Sequence, residues 1–232
     1  MQRILITGAN RGVGLELVRQ CLARGGRVFA GCRDPQQAGD LKKLAAIAAP
    51  NLTLLALDVT DERSLDEARL QVSAQVETLD LLVNNAAINL GDESISSVTA
   101  QKLAETLRVN AIGPVLVAQR FYDLLKMGSS PKLVNISSEA GSIGRMRHFR
   151  GYGYYGSKAA LNMYTRSLAL DPNLKEITVI ALHPGWVRTD MGGPVASLSP
   201  QESVNKILSV VDRLTLQDTG KFYTYTGDEY PW

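Results

Sequence analysis

Short apolar runs alternate with longer amphipathic segments along the whole chain. The apolar runs have the length of β-strands, and they lie at residues 3–7, 27–31, 52–57, 79–83, 132–137, 177–182 and 221–225. Most are nearly continuous, which is typical of parallel strands buried on both faces. Between them, helical periodicity covers residues 13–24, 36–48, 62–77, 99–126, 153–171 and 200–214. The alternation predicts an α/β fold, a doubly wound parallel sheet of about seven strands with helices on both faces.

No linker, low-complexity tract or internal repeat interrupts this pattern. The polar stretch at residues 94–99 falls where a strand-to-helix loop is expected. We therefore predict that residues 1–232 form a single domain. In sheets of this kind, ligands bind beyond the carboxyl ends of the strands, where the winding direction reverses.

Composition and charge narrow the range of functions. The chain has 232 residues, of which 45% are hydrophobic and 21% charged, with a net charge of +2. This charge gives no electrostatic footprint for nucleic acid or a membrane surface. Two cysteines and two histidines provide neither a disulfide framework nor metal-ligand spacing. With no secretory signal and no apolar run of membrane-spanning length, we expect a cytoplasmic protein.

A glycine-rich turn follows the first apolar run and opens the first predicted helix. Nucleotide sites need a tight turn there, so that amides at the helix N-terminus can bind a pyrophosphate. Gly8 and Gly12 would allow the turn, and Gly14 would let the helix pack on the sheet. The spacing differs from the G-x-G-x-x-G fingerprint, and a purely structural turn is the alternative. The candidate cofactor-binding residues of the turn are Gly8, Asn10, Arg11, Gly12, Val13 and Gly14.

The end of the second apolar run indicates which dinucleotide would bind. NAD sites usually place a carboxylate here for the ribose 2′-hydroxyl, whereas NADP sites place an arginine for the 2′-phosphate. Cys32 stands where the carboxylate is expected and Arg33 follows, with Arg11 as a second candidate cation. We therefore expect NADP(H). The alternative is that Arg33 is a solvated cation and that Asp34 caps the next helix.

Two further segments close the third and fourth apolar runs. The carboxylate of Asp58 could accept a hydrogen bond from an adenine amino group, and the two alanines after Asn84 and Asn85 leave room for a ribose or a flat ring. The alternatives are helix capping by Asp58 or Asp61 and a simple turn at the asparagines. The candidate cofactor-binding residues of these segments are Asp58, Val59, Asn85, Ala86 and Ala87.

These motifs, together with Asn110, Ser138, Tyr154-x3-Lys158 and Pro184-Gly185 of the second half, resemble those of the short-chain dehydrogenase/reductase family. The resemblance implies a Rossmann fold, an NADP(H) cofactor, a small-molecule carbonyl substrate (an aldehyde, ketone or quinone) and a homodimer or homotetramer. The nearest subgroup is that of the C-factor-like and sniffer-type carbonyl reductases, judged partly by the closing Tyr-Pro-Trp. The motifs span essentially the whole chain, in the family's order: Thr7-Gly8-x3-Gly12-x-Gly14, Asp58-Val59, Asn84-Asn85-Ala86, Asn110, Ser138, Tyr154-x3-Lys158 and Pro184-Gly185.

The resemblance implies that Tyr154 and Lys158 are the central catalytic residues and that both contact the cofactor. Reduction of a carbonyl takes a hydride at carbon and a proton at oxygen, and the protein must supply the proton. A free tyrosine has a pKa of about 10, which a nearby ammonium should lower. Tyr155 could also reach Lys158 on a helix, and packing of the helix start by its tyrosines is a further alternative. The family's Tyr-x3-Lys spacing selects Tyr154.

Two more catalytic residues are implied by the family. Ser138 would orient the substrate oxygen, with Ser137 as the alternative, and the separation from Tyr154 is longer than the family often has. Asn110 lies four residues before Pro114, which has no N–H, so the Asn110 carbonyl would be free to hold a water. The family uses an asparagine here to pass protons to the lysine. An ordinary proline kink is the alternative.

The segment after the sixth run completes the predicted cofactor site with Pro184, Gly185, Val187 and Thr189. In relatives, the backbone at position 187 and the hydroxyl at position 189 bind the nicotinamide carboxamide. We interpret the adjacent His183 as structural.

Three arginines at residues 144–150 lie next to the predicted catalytic helix. Either they favour an acidic carbonyl substrate or they belong to a solvated basic loop. The sequence thus predicts an NADPH-dependent carbonyl reductase, with a C-factor-like, cofactor-binding signalling protein as the alternative. A sugar-nucleotide epimerase or dehydratase is disfavoured, because little chain remains for a nucleotide-sugar domain.

Overall fold

The structure, a computed structural model, describes residues 1–91 and 94–232. Seven parallel strands form one sheet in the order β3-β2-β1-β4-β5-β6-β7. This sheet confirms the predicted fold class, and each strand begins and ends within two residues of its predicted bounds. The strands are β1 (Arg3–Thr7), β2 (Arg27–Cys32), β3 (Leu52–Ala56), β4 (Leu81–Asn84), β5 (Lys132–Ile136), β6 (Thr178–His183) and β7 (Phe222–Thr224).

Helices cover both faces of the sheet. They are α1 (Gly12–Ala23), α2 (Gly39–Ala48), α3 (Glu62–Ser73), α4 (Ala100–Leu107), α5 (Gly113–Lys126), α6 (Gly153–Leu170) and α7 (Pro200–Arg213). Helix α2 begins three residues later than predicted. The Asp34 carboxylate accepts hydrogen bonds from the amides of Gln36 and Gln37, and it thereby holds this stretch as a turn. Such local side-chain bonds compete with helix formation.

The prediction of a single helix over residues 99–126 is wrong in the middle of that range. A π-helical turn, Arg108–Ile112, separates α4 from α5, and the Gly113 amide donates to the Arg108 carbonyl five residues earlier. Pro114 cannot donate to the carbonyl four residues before it, so the α-helical ladder is interrupted there. The chain keeps its direction by widening one turn, which places Asn110 on the inside of the bulge, where it is fully buried.

Two apolar clusters form the core, one on each face of the sheet. Alternate side chains of β5 and β6 divide between them: Val134 and Ile180 lie in the cluster with α1 and α7, and Leu133 and Val179 in the cluster with α3 and α5. Burial of both faces explains the continuous apolar runs. Among the helices described, none combines the length and apolar character needed to cross a bilayer.

The carboxyl ends of all seven strands meet at one edge of the sheet. The winding reverses between β1 and β4, which pair directly, and β1 pairs with β2 on its other side. A crevice opens at such a reversal because the two following loops lead to helices on opposite faces. The loops after β1, β4, β5 and β6 therefore form one surface.

A partly buried ion pair joins two strands at the opposite edge of the sheet. The Asp80 carboxylate accepts hydrogen bonds from the Arg3 amide and guanidinium at 2.7–2.8 Å and from the Ser129 amide at 2.9 Å. Burial alone would raise the pKa of Asp80, but these bonds hold it below its ordinary value of 3.8. The interaction joins the start of β1 to the start of β4.

The variant Asp80→Ala should lower the free energy of unfolding by about 3 kcal/mol, because it leaves buried donors without their acceptor. The difference in free energy of unfolding between the wild type and Asp80→Ala should shrink as the pH falls below about 3.8. The reason is that protonation of the Asp80 carboxylate removes the charge that stabilises the pair. Urea denaturation measures both effects. The control Asp40→Ala removes an exposed pair with Lys43 and should cost well under about 1 kcal/mol; equal losses for both variants would contradict this account.

Candidate active site

The glycine turn between β1 and α1 forms a close-packed cradle. Gly8 and Gly12 have φ of +63° and +56°, a conformation that other residues rarely adopt. A Cβ added to Gly8 would lie 2.7 Å from the Ala86 Cα, and one added to Gly14 would collide with the Gly8 carbonyl. The first turn of α1 has no side-chain cap, unlike α3, α4 and α7. Backbone amides without a cap beside small residues fit a pyrophosphate.

Hydrogen bonds fasten this turn to the end of β4. The Thr7 hydroxyl accepts from the amides of Asn85 and Ala86 at 3.0 and 3.1 Å. The Asn85 side chain donates to the carbonyls of Thr7 and Gly8 at 3.0 and 3.1 Å. Asn85, predicted to touch the cofactor, is thus engaged in shaping the turn. Ala86 and Ala87 are half-buried beside it and leave space above the strands.

The predicted 2′-phosphate site lies at the end of β2. Arg33 is exposed, and within the described residues it makes no ion pair. Asp34 caps the following turn, as the alternative interpretation held, so its carboxylate is already engaged. The Arg11 guanidinium pairs with Asp190 at 2.9 Å, across the crevice from the glycine turn. A ligand phosphate would therefore find Arg33 free and would compete with Asp190 for Arg11.

Asp58 and Val59 lie at the predicted adenine position, after β3. One carboxylate oxygen of Asp58 accepts from the amide and the hydroxyl of Thr60, both at 2.8 Å. The cap of α3 is Asp61, whose side chain accepts from the Arg63 amide. Val59 is buried against Gly113, where an added Cβ would lie 2.8 Å from its Cγ2. Asp58 therefore shapes a local turn and keeps its other carboxylate oxygen for a ligand.

The Asn110 side chain contacts helix α6 through Ser157. Its side-chain amide accepts from the Ile88 amide and donates to the Ile88 carbonyl, both at 2.8 Å, and it donates to the Ser157 hydroxyl at 3.0 Å. The Ser157 hydroxyl donates in turn to the Tyr154 carbonyl at 2.8 Å. The Asn110 side chain thus links the loop after β4 to the first turn of α6. The backbone carbonyl of Asn110 is the group that, from the sequence, we expected to bind a water.

Tyr154 and Lys158 lie on one face of α6, at the carboxyl end of β5. The Lys158 ammonium donates to the Ile136 carbonyl at 2.8 Å and stands 5.7 Å from the centre of the Tyr154 ring. Tyr155 lies beside them, with its ring centre 6.5 Å from that of Tyr154. The spacing on the helix thus brings the predicted pair together.

The electrostatics of this pair differ from the sequence expectation. Burial raises the pKa of Tyr154, and a hydrogen bond with Ser138 offsets only part of that rise. Burial also lowers the pKa of Lys158 to about 7. The expected depression of the tyrosine pKa by the ammonium is therefore wrong for the protein alone, since desolvation dominates both groups. Tyr154 remains a protonated phenol at neutral pH.

Ser138 and Ser137 have different partners. Ser138 lies close enough to Tyr154 to lower the pKa of the phenol against the larger effect of burial, and its hydroxyl accepts from the Ala140 amide at 3.1 Å. Ser137 is buried and donates to Asn162 of α6 at 2.6 Å. The structure brings Ser138, and not Ser137, to the phenol.

The segment after β6 forms the far wall of the crevice. Gly185 has φ of +84°, and the Pro184 carbonyl accepts from Ser203 at 2.6 Å. Val187 is buried, and the Thr189 hydroxyl accepts from the Gly192 amide at 3.1 Å. The methyl of Thr189 lies 3.2 Å from the position of a Cβ on Gly12, so this wall approaches the glycine cradle.

His183 packs against aromatic rings rather than against Tyr154 and Lys158. Its ring lies 6.4 Å from that of Tyr225 and 6.2 Å from that of Tyr230. Burial lowers its pKa. Among the described residues, no group of three or more histidine, cysteine or acidic side chains is placed to hold a metal ion.

Three residues that shape the site were given no role from the sequence, where Thr7 was named only as part of the glycine motif. Ser157 connects Asn110 to Tyr154, Thr7 fastens the glycine turn, and Asp190 engages Arg11. The helical spacing of residue 157 from residue 154 was a usable signal for the first. The contacts of Thr7 and Asp190 join segments far apart in sequence, so no local sequence pattern predicts them.

The buried lysine should make stability depend on pH. Without nucleotide, the folded protein loses the Lys158 proton near pH 7, whereas an unfolded chain keeps it to about 10.5. Relative to Lys158→Met, the wild type should therefore gain stability as the pH rises from 7 toward 10, by at most about 1.4 kcal/mol per pH unit. Urea denaturation across this range measures the difference. Lys175→Met, which removes an exposed lysine, controls for the loss of a charge. If the difference in free energy of unfolding between the wild type and Lys158→Met did not change with pH, this account would be wrong.

Comparison with known proteins agrees with this geometry. Residues 2–198 match the short chain dehydrogenase family. A carbonyl reductase from chicken fatty liver, whose structure contains NADPH, is 38% identical with a TM-score of 0.93, over 100% of this chain and 99% of that one. Carbonyl reductase Sniffer of D. melanogaster is 33% identical with a TM-score of 0.93, over 100% of both chains.

A third similarity is to a bacterial protein. C-signal of Myxococcus xanthus is 37% identical over 154 residues, which cover 66% of this chain and 93% of C-signal. The match to residues 2–198 and the full-length structural agreement confirm the resemblance stated from the motifs. The chain belongs to the short-chain dehydrogenase/reductase family and is an oxidoreductase of that family.

Proposed function

We propose that this protein is an NADPH-dependent reductase that converts an aldehyde, ketone or quinone to an alcohol, with Tyr154 as proton donor. The observation that carries the proposal is the convergence of Ser138 and Lys158 on Tyr154. This cluster lies at the same strand edge as the glycine cradle. The two carbonyl reductases of similar structure, one of them with NADPH bound, support the same chemistry.

The residues of the crevice fit a dinucleotide. The cradle of Gly8, Gly12 and Gly14 would hold the pyrophosphate at the start of α1, and Val187 and Thr189 would hold the nicotinamide end. When bound, the nicotinamide supplies the hydride that the carbonyl carbon receives. The protein supplies the matching proton and the orientation of the substrate.

Tyr154 and Ser138 act on the substrate oxygen. The raised pKa keeps the phenol protonated at neutral pH, so Tyr154 holds the proton that the oxygen needs. The Ser138 hydroxyl orients the oxygen and stabilises the charge that develops on it. Lys158, held by the Ile136 carbonyl, lies against the Tyr154 ring and would stabilise the phenolate left after the proton moves. Asn110 would hold the water through which the proton is replaced.

Arg33 supports NADPH over NADH. Its guanidinium is exposed at the end of β2, and the neighbouring Asp34 carboxylate is already engaged in its turn. The site thus offers a cation for a 2′-phosphate and no free carboxylate for a ribose 2′-hydroxyl. Arg11 would add a second cation after release from Asp190.

A signalling role with incidental catalysis is the second candidate, and the similarity to C-signal favours it. Tyr154→Phe separates the two functions, because a cellular role that survives this change would not depend on proton donation. As parts of the same proposal, we expect a cytoplasmic homodimer or homotetramer. Light scattering and cell fractionation test these expectations.

Tyr154→Phe should lower kcat for carbonyl reduction by about 10²- to 10⁴-fold, the usual loss of a proton donor. Binding of NADPH, followed by its fluorescence, should change little. Tyr155→Phe removes the adjacent hydroxyl and is the matched control. The assignment fails if Tyr155→Phe inactivates the enzyme and Tyr154→Phe does not.

Arg33→Ser should weaken NADPH binding by about 10- to 100-fold, because a charge-assisted hydrogen bond to phosphate is lost. NADH binding should stay the same. Titration with both nucleotides measures the ratio of the two dissociation constants. Arg19→Ser removes an exposed arginine of α1 and serves as the control; a wild type that prefers NADH would overturn the cofactor proposal.

A further inference from the structure

Residues 230–232 lie across the end of the sheet, on the buried ring of Phe222. The Tyr230 amide donates to the Phe222 carbonyl at 2.6 Å. The Phe222 ring meets Tyr230 edge-on at 5.3 Å and stacks with Trp232 at 5.5 Å and 25°. Since Phe222 is fully buried in β7, these contacts seat the segment on a rigid support.

Residues 230–232 also contact the loop that follows Ser138. The Trp232 carbonyl accepts from the Ser142 hydroxyl at 3.2 Å and from the Gly144 amide at 3.3 Å. The Arg145 guanidinium lies 5.6 Å from the centre of the Tyr230 ring. Backbone, hydroxyl and cation–π contacts therefore join residues 230–232 to residues 142–145.

The first part of that loop has a different anchor. The Gly141 carbonyl accepts from Asn162 of α6 at 3.1 Å, and a Cβ on Gly141 would lie 2.7 Å from the Lys158 carbonyl. Helix α6 thus contacts Gly141, and through Gly141 it holds Ser138 in place. Residues 142–150, which we name the rim loop, come after this anchor, and residues 143–150 are all exposed.

Two arginines of the rim loop make contacts within the fold. Arg145 lies on the Tyr230 ring, and Arg147 donates to the carbonyls of Gly144 and Met146 at 2.9 and 3.1 Å. The Phe149 ring meets that of Tyr152 at 5.0 Å, just before α6. The rim loop therefore connects the segment 230–232 at one end to the start of the catalytic helix at the other.

We infer that residues 230–232 are positioning residues that hold the rim loop over the carbonyl site and thereby set the affinity for the carbonyl substrate. This inference rests on the proposed function. An exposed loop without its anchor must be ordered each time a substrate binds, and that ordering weakens binding. Ser138, Tyr154 and Lys158 have anchors of their own, so the chemical step does not depend on the segment.

Trp232→Ala tests the inference through kinetics. We expect KM for a carbonyl substrate to rise about tenfold, as expected when one or two side chains must be ordered on binding. The kcat and the dissociation constant of NADPH should stay within about twofold, since the catalytic residues and the cradle keep their anchors. Trp232→Phe retains an aromatic ring for Phe222 and should restore KM. Leu214→Ala truncates a buried side chain that directly follows α7, and it controls for general destabilisation.

Limited trypsin digestion gives a readout independent of activity. The rim loop contains Arg145, Arg147 and Arg150 as cleavage sites. Trp232→Ala should accelerate cleavage there at least about fivefold, because release of the loop raises the population accessible to protease. Trp232→Phe should be cleaved at the wild-type rate, and Leu214→Ala should show no preference for these sites.

Each outcome decides one part of the inference. Equal cleavage of Trp232→Ala and wild type would overturn it, whatever the activity. Faster cleavage with an unchanged KM would overturn the link to substrate binding. A fall in kcat with an unchanged KM would contradict the separate anchoring of Ser138. If the wild type reduces no carbonyl compound, the proposed function fails, while the cleavage rates still decide whether the segment holds the loop.

Discussion

The site depends on the hydrogen bonds that fasten the glycine turn to the end of β4. Asn85 donates hydrogen bonds from its amide and its side chain to the hydroxyl and the carbonyl of Thr7, across the two strands where the winding reverses. Without these bonds, the loops that lead to opposite faces of the sheet would have no fixed separation. With them, the Gly8 turn lies against Ala86 so closely that a single added methyl group would not fit. The crevice is thus defined by these side-chain hydrogen bonds together with the close backbone contact that they maintain.

Burial decides the protonation of Tyr154 and Lys158, the pair proposed to be catalytic. Both Tyr154 and Lys158 are shifted toward their neutral forms, and desolvation is the leading cause for each. The protein alone therefore holds a protonated phenol beside an amine that titrates near neutral pH. A neighbouring charge would act strongly in such a site, because little solvent screens it. The arrangement favours donation of a proton over its removal.

Much of the site consists of residues that position others. The π-helical turn buries Asn110, which braces Ser157 and through it the first turn of α6. Asn162 similarly joins Ser137 and Gly141 to the same helix. Helix α6 is therefore fixed from both neighbouring loops, so the phenol and the ammonium keep their geometry. Precise positioning of this kind is what catalysis requires of a scaffold.

The amino-acid pattern alone determined the sheet, the strand bounds and the place of the glycine turn, because each follows from local periodicity or from the steric freedom of glycine. Helical spacing alone left Tyr155 open as a partner of Lys158, and it was the resemblance to the family's Tyr-x3-Lys motif that selected Tyr154. The π-helical turn, the Arg11–Asp190 pair and the direction of the Tyr154 pKa shift came only from the folded chain. Each of these depends on burial or on contact between segments distant in sequence, and no local pattern encodes such contacts.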